Sequence, residues 1–186
     1  MDIEQLKQNK EFLQQLEERK LEACRKSDIK ELHDLLDTYL LLDLDAEVID
    51  EIYREILDIA FDRLAHMLSY GEKFDFSNTQ DLYTARAVYE HALERWNNEN
   101  FKGANELFLV LSYMTPRNFK KAMILPLGLT AKKITLNQFL QEYIDTSKIN
   151  KDSFFFDTLN SKAKKFIAEN KDLIQKELEK TKKWSR

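Results

Sequence analysis

Asp58, Asp62 and His66 stand four residues apart. On a helix they would share one face and could offer two oxygens and a nitrogen to a metal ion. They are the best metal-ligand set in the chain, and a metal-dependent helical enzyme is the alternative reading they support. A carboxylate-bridged di-iron bundle, however, needs paired Glu and Glu-x-x-His helices, and here Arg63 precedes His66 while Glu94 follows His91. Spacings of four recur in any acid-rich helix, so we read the three as a solvated face and assign no metal ligand. His33 and Asp34 form a His-Asp dipeptide, but the further ligands of a helical phosphohydrolase cannot be assembled around it. Cys24, the single cysteine, permits no internal disulfide and cannot build a zinc site alone. No Gly-x-Ser-x-Gly elbow occurs, and Gly71, Gly103 and Gly128 are isolated, so neither a serine hydrolase nor a phosphate-binding loop is indicated. No catalytic residue and no cofactor is assigned.

The elements that would position such residues are helices. Three glycines and two prolines among 186 residues, with 33% of the chain charged, leave too few turn residues for hairpins or sheets. The 43% hydrophobic content suffices for a continuous core. No apolar run is long enough to span a bilayer, and the start, MDIEQLKQNKEF, lacks a secretory signal pattern, so a cytoplasmic location is expected. The net charge of -4 hides an asymmetry. Residues 1–116 carry 25 acidic and 13 basic side chains, a balance of -12, whereas 117–186 carry 8 and 16, a balance of +8. Within 27–70, twelve acids face only Lys30, Arg54 and Arg63. Such segregation either neutralises itself in the fold or leaves surfaces of opposite sign.

Helical periodicity predicts a polar helix over residues 2–25, docked or protruding, as a unit 1–26 beside a helical domain 27–186. Ser27 is read as the cap of the next helix, through Leu32, Leu35, Leu36, Tyr39 and Leu40, and Asp45 as the cap of a span ended by Gly71. Residues 72–80 read as a loop, with Ser77 or Thr79 capping a helix to about Asn98 and a second helix from Phe101 to about Met114. Pro116, Pro126 and Gly128 punctuate a short helix, and Thr135 caps another. After Asp152 come Phe154, Phe155 and Phe156, then one amphipathic helix ending in Lys180, Lys182, Lys183 and Arg186. The expectation is an all-α protein of seven to nine helices, an irregular bundle or a short solenoid.

The hairpin spacing resembles a tetratricopeptide repeat, over residues 85–118 only. Ala92 lies twelve before Ala104, Phe101 falls between them, Phe108 follows Ala104 by four, and Pro116 closes the unit. Small residues allow close helix approach and proline ends the second helix. Val88, His91 and Arg95 depart from the family's large apolar positions, and one period further on Gln138, Glu142 and Asn150 replace the expected residues. The resemblance implies a scaffold that binds a helix or extended peptide of another protein. With Trp96, Phe101, Phe108, Tyr113 and Phe119 concentrated there, the expected function is a non-enzymatic adaptor or chaperone with an aromatic-lined groove over about 85–125. The acidic 27–70 surface would steer a basic partner. A third reading, a nucleic-acid-associated regulator, rests on the acid-free segment 117–133 with Arg117, Lys120, Lys121, Lys132 and Lys133, but the pI of about 5.5 is low for that role.

Overall fold

Asparagine, aspartate and threonine, rather than glycine, start these helices. The structure, a computed structural model, describes residues 3–148 and 153–184, apart from the side chains of Thr146 and Lys183; Asn150, Asp152 and Arg186 lie outside it. The described residues form ten α-helices: α1 (Ile3–Lys7), α2 (Lys10–Lys26), α3 (Ile29–Leu41), α4 (Ala46–Ser69), α5 (Thr79–Asn97), α6 (Phe101–Met114), α7 (Lys120–Ala131), α8 (Leu136–Glu142), α9 (Ser161–Glu169) and α10 (Lys171–Glu179). Side chains of Asn9, Asp28, Asn78, Asn100, Thr135 and Asn160 accept a backbone N–H in the first turn of the helix that follows each. Each such cap stabilises by about 1 kcal/mol. Among the described residues the only β-type pairing is an isolated bridge between Ile144 and Leu159.

The all-helical expectation holds at that level, while the count of seven to nine is corrected to ten. Two of the added helices come from breaks that periodicity does not reveal. Asn9 divides the amino-terminal span into α1 and α2 by capping Phe12 N–H. Asn170 divides the final amphipathic span into α9 and α10, and its amide donates back to the Phe166 carbonyl at 2.8 Å. Ser27 is not a cap of α3: it closes α2 in the left-handed region at φ 52°, and Asp28 accepts from Glu31 N–H instead. Likewise Asn78, between the two expected residues, caps α5. Gly71 does follow α4, at φ 69°.

Pro126 and Gly128 do not punctuate α7 but lie inside it. Proline removes one intrahelical donor, the one that would reach the Ala122 carbonyl, and side chains engage carbonyls of the turn that follows it. Thr130 Oγ1 donates to the Pro126 carbonyl at 2.8 Å, and Asn105 Nδ2 of α6 donates to the Leu127 carbonyl at 2.9 Å. Every residue from Leu125 to Thr130 is buried, so α7 is an interior helix.

Packing follows chain order. Helix α2 lies on α3 and buries Leu16, Lys20 and Ala23; α3 packs on α4, α4 on α5, α5 on α6 and α6 on α7, which receives α9 and α10. Helices α2–α4 and α7–α10 share no substantial contact among the described residues. The acid-rich and lysine-rich stretches therefore sit at opposite ends of the stack. No helix among the described residues is long and apolar enough to cross a membrane.

Gly128 makes the docking of the last helices testable. A Cβ there would meet Ile174 Cγ1 and Phe166 Cε1, each at 3.1 Å. Gly128→Ala should be nearly neutral, since the gain of about 1 kcal/mol in helix propensity offsets a small displacement. Gly128→Leu should overpack the contact and cost about 1–3 kcal/mol in urea denaturation. Equal stability of the two variants would contradict the observed seating of α9 and α10.

Candidate partner-binding site

Aromatic side chains on α5 and α6 build a ladder through the molecule rather than a furrow on it. Tyr89 meets Phe108 edge-on at 5.7 Å, Phe108 meets Trp96 at 5.6 Å, and Trp96 stacks on Phe139 at 5.1 Å. Trp96 is 1% exposed and Phe108 0%, and Trp96 Nε1 donates to the Ile134 carbonyl at 2.8 Å. These two expected partner anchors are core residues.

The other three are half-buried and do not join them in one groove. Phe119 packs against Phe76 and Phe155, Tyr113 meets Trp184 edge-on at 5.5 Å beneath the Lys73 ammonium, and Phe101 lies at the start of α6. Trp96 and Phe108 are thus not on an open face, and the chain's own triple phenylalanine packs against neighbouring aromatic residues. Phe155 inserts between Phe76 and Tyr89, Phe156 meets Phe139, and Phe156 N–H donates to Tyr89 Oη at 3.3 Å. Phe154 lies against Tyr83, with the Arg86 guanidinium 4.6 Å from its ring centroid. Phe155 is buried and Phe154 and Phe156 are partly buried, and this apolar contact offsets the cost of ordering a short non-helical segment.

His91, Glu94 and Arg95 near this ladder are engaged with one another. Glu94 Oε2 accepts from His91 Nδ1 at 2.9 Å, while His91 Nε2 accepts from Arg95 Nε at 2.9 Å. This resembles the acid-histidine half of a catalytic relay, but the lone pair a base would use is already occupied by Arg95. His33 is fully buried beside the Tyr83 ring, and neither ring nitrogen makes a hydrogen bond of normal geometry. Burial first and the nearby Arg86 charge second push its pKa down to about 3, against a small opposite pull from the Tyr83 backbone. Arg86 itself bridges Glu90 at 2.8 Å and Asp37 at 3.1 Å.

Asp58, Asp62 and His66 are exposed, and His66 rests against the Tyr70 ring at 4.6 Å. Among the described residues no three His, Cys, Asp or Glu side chains form a group that could hold a metal ion. The basic segment is divided as well. Lys120 and Lys121 begin α7, whereas Lys132 and Lys133 follow its end, about 18 Å away by helical rise.

The surface feature that remains is electrostatic. Every ion pair among the described residues closes within 3–116 or within 117–184; none joins the two parts. The charge asymmetry is therefore not cancelled by direct ion pairs between the two parts among the described residues. Lys20 illustrates the internal pairing. Burial alone would lower its pKa, but Glu17 at 3.0 Å and Glu51 at 3.1 Å outweigh burial and raise it. Asp45, Glu47, Asp50, Asp58 and Asp62 are exposed and have no ion-pair partner among the described residues.

Within that acidic end, Leu40 and Leu41 are 53% and 69% exposed, the one adjacent pair among the described exposed large apolar residues. Helical periodicity groups Leu40 with Leu32, Leu35, Leu36 and Tyr39 and singles out nothing at Leu41. The available signal was crowding: leucines at 40, 41, 42 and 44 exceed what one helical stripe can bury at the end of a helix. Only Leu42 of the first three is buried. Fold and surface define an all-helical protein with two oppositely charged ends and an apolar knob on the acidic one. No family model, curated protein or solved structure matches the chain.

Proposed function

We propose that this chain is a non-enzymatic protein-binding module, an adaptor or chaperone, whose acidic α3–α4 end docks a basic, amphipathic segment of another polypeptide. One observation carries the reading: two adjacent exposed leucines stand on a carboxylate-rich surface where Asp45, Glu47 and Asp50 have no ion-pair partner among the described residues. Asp37, Asp43, Asp45 and Glu47 flank the leucines in sequence; Asp43 meets only Lys7, at 3.5 Å, and Asp37 meets Arg86. Exposed apolar groups rimmed by charge mark interaction surfaces. Here the leucines supply about 1–2 kcal/mol each on burial, and the carboxylates set association rate and partner choice. The α5–α6 hairpin, with Ala92 and Ala104 both fully buried, supports a tetratricopeptide-like scaffold behind this surface.

Fluorescence anisotropy with a labelled Leu/Lys amphipathic helical peptide tests the reading. Wild type should bind, and Leu40→Ser/Leu41→Ser should bind at least about tenfold more weakly, the effect of some 1.4 kcal/mol. Asp45→Asn/Glu47→Gln should bind more slowly and with a shallower salt dependence. Equal binding by wild type and the serine variant, or no binding by wild type, would end the proposal.

A further inference from the structure

The two ends complement each other between molecules although they do not meet within one. Opposite the acidic end, a cleft of about 470 Å³ opens between the start of α7, the residues after α8 and helix α9. Leu159 and Ile167 line it together with Lys121, Lys148 and Lys164. Two carboxylates, Asp145 and Asp157, also line it, but Asp145 is held by Lys148 at 2.8 Å, and Lys121 and Lys164 have no ion-pair partner among the described residues. The volume is in the range of about 300–1,000 Å³ that receives an inserted group. Thus one end presents an apolar knob among carboxylates, and the other a cleft lined in part by apolar residues in a region of positive balance.

We infer that the acidic end of one copy docks on the basic end of a second copy, with Leu40 and Leu41 seated in the Lys121/Lys164 cleft. This rests on the reading of the acidic end as a docking surface and names a partner for it. The contact is heterologous: each association leaves one free acidic knob and one free basic cleft, so copies add head to tail instead of closing as a two-fold dimer. An internal salt-bridge system that crossed the molecule would have cancelled this complementarity, and none is found among the described residues. The apolar seat provides cohesion and the charges fix orientation, so association weakens as salt shortens the screening length from about 10 Å at 0.1 M to about 3 Å at 1 M.

Sedimentation velocity of the full chain, at about 10–500 µM where weak interfaces populate, reads this directly. In about 50 mM salt the average mass should rise above the 22.1 kDa monomer with concentration, and it should return to monomer near 1 M. Leu40→Ser/Leu41→Ser and Lys121→Glu/Lys164→Glu should each remain monomeric. Asp45→Lys/Glu47→Lys should too, and mixing it with the Lys121→Glu/Lys164→Glu protein should restore association. Wild type that stays monomeric at all concentrations, or association unaffected by these variants or strengthened by salt, overturns the inference. The Lys121→Glu/Lys164→Glu variant separates the two claims, because its acidic end is intact. It should still bind the Leu/Lys peptide while losing self-association. Peptide binding by a wild type that never self-associates would remove this inference and leave the proposed function standing.

Discussion

Asp81→Ala is expected to lower the free energy of unfolding by about 3 kcal/mol, near the lower end for breaking a buried charge pair because the Arg63 side chain is 38% exposed. Asp81 stands in the first turn of α5 and is itself buried. One carboxylate oxygen, Oδ1, accepts from Arg63 Nη2 at 2.5 Å and Nε at 3.2 Å; the other, Oδ2, accepts from Asp75 N–H at 2.9 Å. A single side chain thereby ties α4, the 70–78 connection and α5 together. It also places negative charge at a helix amino terminus. Removing it leaves Arg63 half-buried without its counter-charge and a backbone donor without its acceptor. The double variant Arg63→Met/Asp81→Ala should lose less than the sum of the single losses, because the stranded guanidinium is removed as well. Urea titrations of the four proteins measure the coupling. A cost below about 1 kcal/mol for Asp81→Ala would contradict this role.

Acid sensitivity centred on His33 is the second large effect. The native state holds this imidazole neutral to about pH 3, whereas in the unfolded chain it protonates near its ordinary 6.5. Below pH 6.5 the unfolded state therefore binds an additional proton. The stability this confers is complete above pH 6.5 and is lost progressively as pH falls toward 3. A shift of that size corresponds to roughly 5 kcal/mol when complete, of which about 4 falls between pH 6.5 and 3. Glu90 acts in the opposite direction: burial raises its carboxyl pKa against the pull of Arg86, so the folded state takes up its proton more readily as pH falls. Comparing wild type with His33→Leu cancels that background. The leucine variant should be no less stable at pH 7, having lost buried nitrogens without hydrogen bonds, and should lose about 4 kcal/mol less than wild type between pH 6.5 and 3. Parallel pH profiles for the two proteins would show that His33 is not desolvated as described.

The helices were legible because their cause is local. Periodicity placed the α3 to α6 cores, and Gly71 and Thr135 fell where helix ends require them. Sequence pattern and structure part where tertiary contacts override local preference. Pro126 and Gly128 look like breakers in sequence, yet Asn105 from α6 engages the carbonyl that follows Pro126, and Gly128 admits Ile174 and Phe166. No local pattern announces a partner from another helix. The aromatic cluster was legible as a cluster but not in its destination. Trp96 and Phe108 look identical in sequence whether they face solvent or, as here, Phe139 and Tyr89 from elsewhere in the chain. Charge segregation was fully visible in the sequence, but whether it cancelled depended on which helices meet. The packing of α2 to α7 in chain order, with α9 and α10 on α7, keeps the two signs apart.

Where a basic amphipathic segment lands on this surface is the most direct test of the account. Chemical-shift mapping of the isotope-labelled chain during titration with the Leu/Lys peptide should show its largest perturbations across residues 37–50, centred on Leu40 and Leu41, and little change at Phe101, Tyr113 or Phe119. Perturbations centred on the α5–α6 aromatic residues, or scattered without a focus over the acidic residues, would contradict the assignment of the leucine knob as the docking surface.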